Sequence, residues 1–136
     1  MNETLSKLSN KELATMKVFW QVEQPMVASE IPKQDSKLNI NTVNVVIRNL
    51  LKKKYIQVNS IVYSGTVLTR SYEPTISAEQ YARSQIMELL PKNKSTSTTN
   101  VVAAMLKNEN PNMEVIEKLE SMLLEYKENL PGKKEV

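Results

Sequence analysis

The stretch Asn39 to Lys53, NINTVNVVIRNLLKK, contains no proline, glycine, aspartate or glutamate. Asn39 is a good N-cap, and at about 100° per residue Ile40, Val43, Val46, Ile47, Leu50 and Leu51 fall in one broad apolar sector. Opposite them stand Asn41, Asn44, Val45, Arg48, Asn49 and Lys52. A solvated helix face usually mixes Glu with Lys for i,i+4 support; this one carries amides and bases and no acid. The spacing therefore predicts a helix with an aliphatic buried side and an outer side suited to an anion. Asparagine can bond adenine N6/N7 and arginine guanine O6/N7 in bidentate fashion, and a valine such as Val45 can meet a thymine methyl. Lys52, Lys53 and Lys54 stand at the C-terminal end, where they complement the helix dipole and can neutralise phosphates.

Upstream, Ser9-Asn10-Lys11-Glu12 has capping-box spacing, and Leu13, Met16, Lys17, Phe19 and Trp20 continue a helical stripe over about residues 10–21. Pro25 breaks the chain, and a short second helix is expected with Ser29 as N-cap and Pro32 in its first turn. Downstream, YIQVNSIVYSGTVLTRSYEP (Tyr55 to Pro74) is rich in Val, Ile, Thr and Tyr around Ser64-Gly65. That composition predicts a β-hairpin of about residues 56–62 and 67–73, with Arg70 a further candidate phosphate contact. Three helices followed by a hairpin is the winged-helix order, in which the third helix enters the major groove while the hairpin lies along the backbone. Residues 1–75 fill one such DNA-binding module.

The remainder, 76–136, reads as helical. Ser77-Ala78-Glu79-Gln80 opens a helix closed by Pro91, and Lys92 to Asn100 reads as a polar loop whose end caps the next helix. Val101, Val102, Met105 and Leu106 mark a short helix; Val115, Leu119, Met122, Leu123 and Tyr126 recur at helical spacing through a last one to about Asn129, with a frayed tail. About 55 ordered residues in three helices make a marginal unit alone. The apolar stripe is therefore expected to be shared across a two-fold axis, which would also set two reading helices about one DNA turn apart. The fold class expected is mainly α with a β-hairpin, a winged helix-turn-helix domain followed by a helical dimerisation region.

Composition narrows the chemistry. The 136 residues include no Cys and no His, and only two glycines, Gly65 and Gly132. Disulfides, thiol nucleophiles, Ser-His triads, Cys/His zinc sites and glycine-rich phosphate cradles are thereby removed, so neither an enzyme nor a cofactor is expected. Glu114, Glu117 and Glu120 share part of one helical face, but without His partners they do not indicate a metal. No apolar run reaches the ~20 residues of a membrane span, and the Met1 end lacks a signal-peptide core, so a cytoplasmic protein without membrane insertion is expected. Residues 1–83 carry 11 Lys/Arg against 7 Asp/Glu, and residues 84–136 carry 7 against 8. A basic front and a neutral back suit a polyanion contact and a partner contact respectively.

The strings LSNKELATMKVFW, ASEI, NINTVNVVIRNLLKKKYI, SYEPTIS and AAMLKNENPNMEVIEKLESMLLEYK occur in this order. Together they resemble the penicillinase-repressor family, which includes the methicillin-resistance regulatory repressors, over about residues 8–128. The resemblance implies a cytoplasmic, homodimeric bacterial repressor binding an inverted-repeat operator in double-stranded DNA. It implies that C-terminal helices build the dimer and that a regulatory protease acting in that region relieves repression. Thr42 matches the threonine of the family's recognition helix. Asn41 and Asn44 occupy positions where members often place basic residues, which implies a different base preference. The family's scissile Asn-Phe pair falls on Ala104-Met105, and the hairpin is longer than usual. The copper-responsive branch carries a C-terminal cysteine cluster that this chain lacks. Two other functions remain open: a winged-helix adaptor that binds protein, and a repressor that senses a small molecule between its C-terminal helices.

Overall fold

The computed structural model describes residues 5–90 and 98–131. Helix α1 (Asn10–Val22) opens with the expected capping box: Ser9 Oγ accepts from the Glu12 N–H and the Glu12 carboxylate accepts from the Ser9 N–H. Strand β1 (Met26–Val27), a 3-10 turn (Ala28–Glu30) and α2 (Ile31–Gln34) follow. The second helix thus differs from expectation. Its N-cap is Glu30, without a side-chain cap bond, and the Ser29 hydroxyl lies 3.5 Å from that of Ser64 instead. With Ser29 as N-cap, Pro32 would occupy the third helical position and offer no N–H to the hydroxyl.

Helix α3 (Ile40–Lys52) starts where Asn39 Oδ1 accepts from the Thr42 N–H at 2.8 Å. Val43, Val46, Ile47 and Leu50 are buried against α1 and α2. Ile40, expected inside, is 42% exposed at the first position of the helix, and Leu51 is half-buried. The helix closes in a Schellman motif: the Tyr55 N–H donates to Leu50 O and the Lys54 N–H to Leu51 O, with Lys54 at φ 64°.

Strands β2 (Ile56–Ser64) and β3 (Val67–Pro74) form the hairpin, and β1 adds to the far side of β3, giving the antiparallel order β1-β3-β2. Both hairpin strands run slightly longer than expected, and β1 was not anticipated. The register closes with Ser64 opposite Val67, so Gly65 and Thr66 alone make the turn and Gly65 takes φ 67°. A bulge lies between Val58 and Ser60; there the side chains of Gln57 and Asn59 both donate to the Glu73 carboxylate.

Helix α4 (Ala78–Leu89) has the expected Ser77/Gln80 capping box. By contacts the chain divides into Met1–Leu90 and Pro91–Val136, so α4 stands with the winged helix rather than with the region after residue 75. The reason is a strap the sequence did not reveal. The Leu8 N–H donates to Tyr81 Oη and the Leu5 N–H to Ser84 Oγ, and Trp20 Nε1 donates to Ile76 O at 2.8 Å. Tyr81 is buried, 5.9 Å edge-on from the ring of Tyr55. The core of this unit gathers Met16, Phe19, Ile31, Leu38, Val43, Leu50, Tyr55 and Ile56.

The second unit contributes α5 (Thr98–Glu109) and α6 (Met113–Asn129), the latter capped by Asn112 Oδ1 accepting from the Val115 N–H. Because α5 already runs from Thr98, Asn100 lies within its first turn and is not its cap. Of the loop expected at 92–100, residues 92–97 fall outside the described residues, as do 132–136 of the frayed tail expected at 131–136. Neither α5 nor α6 buries a single residue.

Candidate nucleic-acid interface

In a helix-turn-helix the first helix holds the second against the body, so that only one long face of the second is left for a ligand. Here α2 and the turn through Leu38 do this for α3: Ile31 and Leu38 are buried, and Val43, Val46, Ile47 and Leu50 face them and α1. The other face is open. Asn41, Asn44, Val45, Arg48 and Lys52 are exposed, with Val45 at 49%, and Thr42 is half-buried in the first turn. The sequence-predicted reading residues therefore share one surface, and the apolar sector pins them there.

The electrostatics of that surface extend beyond the helix. No carboxylate occurs between Asp35 and Glu73, while Lys37, Arg48, Lys52, Lys53, Lys54 and Arg70 all lie in that interval. Lys37 was missed by periodicity because it sits in the turn; its N–H donates to Asp35 Oδ1 and its side chain is exposed beside the N-terminus of α3. A basic residue in the turn that precedes a reading helix is the signal that would have found it.

The three lysines at the C-terminal end of α3 separate into different tasks. Lys53 is drawn inward, 2.7 Å from the Glu12 carboxylate and 3.3 Å from Lys7 O. Burial pushes the Glu12 carboxyl up, but the Lys53 hydrogen bond and charge and the Ser9 N–H more than offset this, leaving it below its ordinary value. Lys52 and Lys54 are exposed and remain available to an anion. Next to them, burial, reinforced by Tyr81 and Glu12, pushes the Tyr55 phenol up to about 12, and its hydroxyl donates to Ser6 O. Arg70 is exposed on β3 opposite Ile61, so it belongs to the outer hairpin rather than to the α3 surface.

The residues expected to dimerise all lie on α5 and α6 and none is buried. Val101, Leu106 and Leu119 are half-buried, whereas Val102, Met105, Val115, Met122, Leu123 and Tyr126 are exposed, Leu123 at 67% and Tyr126 at 69%. Val115, Ile116, Leu119, Met122, Leu123 and Tyr126 fall within about 120° of one another around α6. Ile116 is an addition to the predicted stripe. Ala104 and Met105 sit inside α5, in helical conformation. Among the described residues no cluster of three or more acidic, His or Cys side chains can hold a metal, and no helix is long and apolar enough to cross a membrane.

A family model described as penicillinase repressor matches residues 8–125. Among solved structures the chain is similar to the adhesin competence repressor (AdcR) from Streptococcus pyogenes at 15% identity and TM-score 0.40, over 93% of this chain and 84% of that one. It is also similar to a mutant of Lactococcus lactis ZitR at 16% identity and TM-score 0.42, over 91% and 78%. No curated protein sequence matches significantly.

Proposed function

The chain belongs to the penicillinase repressor family, and from that membership we propose that it is a homodimeric transcriptional repressor reading an inverted-repeat operator through α3. The observation that carries this reading is the outer surface of α3. Asn41, Asn44, Val45 and Arg48 project from a helix whose opposite side is locked into the core, in an interval of chain without one carboxylate. Asn41 and Asn44 offer bidentate amides to adenine, Arg48 a fork to guanine, and Thr42 and Val45 methyl groups to thymine. Lys37, Lys52 and Lys54 contribute backbone contacts, which set affinity and its salt dependence rather than base choice.

The exposed apolar stripe of α6 supports the dimer. Met122, Leu123 and Tyr126 lie exposed on one face of α6, a contiguous apolar patch of the kind that marks an interaction surface, and a second copy would cover it symmetrically. Two copies present two reading helices to successive major-groove faces, which matches a palindrome. Such a protein works in the cytoplasm, where the chromosome is. A regulatory protease acting at Ala104-Met105 would first have to unwind α5, because a protease binds extended backbone.

The test is selection of bound fragments from the source genome, followed by an electrophoretic shift assay on the selected sequence. An inverted repeat bound well above random DNA is expected, and Arg48→Ala should cost about 1–3 kcal/mol and relax preference at one base pair per half-site. Binding no better than to random DNA, or a protein partner that tolerates Arg48→Glu, would replace this reading with that of an adaptor.

A further inference from the structure

The hairpin tip is chemically unlike the helix beside it. From Val58 to Thr69 it holds no Lys, Arg, Asp or Glu. Its register sets Ile61 opposite Arg70 and Tyr63 opposite Leu68, so these four side chains share one face. The three apolar ones are 66%, 72% and 58% exposed. The same segment of β2 is also the free edge of the sheet. Hydrogen bonding alternates along an antiparallel pair, and Ser64 and Val67, flanking the two-residue turn, form the bonded pair nearest to it. The backbone groups of Ile61 and Tyr63 therefore point away from β3 toward the open side. Proteins usually guard such an edge with lysine, proline or a bulge; here the bulge lies at the root of the hairpin and the tip has none of the three.

An open strand edge is complemented by another strand. A neutral one gains little from phosphates and does not repel its own copy. Placing a two-fold axis at Val62 sets Ile61 of each copy opposite Tyr63 of the other, and both residues are the ones with outward backbone groups. The contact is thus hydrogen-bonded and apolar in a single register, with an aromatic beside a β-branched side chain. We propose that β2 pairs with β2 of a second copy in a neighbouring dimer, so that dimers bound at adjacent sites hold one another. The setting rests on the DNA-reading function proposed above; the contact itself does not. A patch of a few side chains falls well short of the ~800 Å² per partner of a stable interface. The contact is therefore weak in free solution and strong only when DNA raises the effective concentration.

The test compares the native chain with Ile61→Thr/Tyr63→Thr, which keeps strand propensity and charge, and with Tyr63→Pro, which deletes an outward N–H while leaving the β3 bonds. Sedimentation without DNA, up to roughly 1 mM, reads the contact directly. Titration of fragments bearing one or two selected operator copies reads its consequence. The native chain is expected to associate beyond its basal state at the highest concentrations and to fill the second site about tenfold more tightly than the first. Both variants should lose both behaviours while binding a single site within about twofold of the native affinity. A native chain that shows no such association, or variants that associate equally, overturns the proposal. So does a large loss of single-site affinity in the variants, which would place the tip on DNA. If neither fragment is bound, only the DNA-reading function fails, and sedimentation still decides the contact.

Discussion

Replacing Lys54 by glycine and, in parallel, by alanine separates a backbone cost from a charge. Lys54 is the residue after the C-cap of α3 and takes φ 64°, held there by the Schellman bonds from Tyr55 to Leu50 and from Lys54 to Leu51, 2.9 and 3.1 Å long. Thr75 Oγ1 donates to Lys54 O at 2.6 Å and fixes the same peptide. A side chain in the left-handed region costs about 1–2 kcal/mol. Glycine avoids that cost but returns about 0.5–1 kcal/mol through its greater freedom in the unfolded chain. The glycine variant should therefore be more stable than the alanine variant by about 1 kcal/mol, which is about 4–8 °C in Tm for a unit of this size. Both variants lose the ammonium equally, so both should lose operator affinity equally. The slope of log affinity against log salt should shallow by about two per dimer, one for each phosphate contact. Thermal unfolding followed by Trp20 fluorescence, and shift assays at several salt concentrations, measure the two effects separately. Equal melting of the two variants would refute the backbone account, and an unchanged salt slope would remove Lys54 from the interface.

Glu12→Gln should destabilise the winged-helix unit by about 1–2 kcal/mol at neutral pH, since it removes the anion from Lys53, whose side chain is about two-thirds covered, at a carboxylate that is itself almost fully buried. Because the folded Glu12 carboxyl lies below its ordinary value, its contribution is complete above the unfolded carboxylate range and is lost as pH falls through the depressed folded value. The gap between variant and native chain should close in acid; urea titrations across pH check it, and a constant gap would contradict the ion-pair account. Asn39→Ala removes the cap on Thr42 N–H and should cost about 1 kcal/mol in the same titrations. Leu123→Glu should leave the melting of the winged-helix unit unchanged while yielding a monomer by sedimentation with weakened operator binding; a persisting dimer would move the interface off α6.

What the sequence disclosed and what it concealed follow from how local each signal is. The acid-free outer face of α3 was legible because a cap, a 3.6-residue apolar period and the lack of acids all lie within fifteen contiguous positions. The hairpin was legible for the same reason, its β-branched run and Ser64-Gly65 turn being contiguous. Strand β1 was hidden: two residues cannot display alternation, and Met26 and Val27 become a strand only by pairing with Tyr72 and Ser71. The strap was hidden more deeply, since Leu8 and Tyr81 are 73 positions apart and their bond involves a backbone N–H that any residue carries. The same distance argument explains the candidate site. Residues on one helix, Asn41 to Lys52, could be grouped in advance, but the division of the lysine run could not, because Lys53 turns inward only through Glu12, which lies 41 positions away on α1. Three identical side chains in a row thus acquire different tasks from long-range partners. For this chain the long-range contacts decide which cations of the lysine run stay exposed, while the local pattern decides which face of α3 is left open.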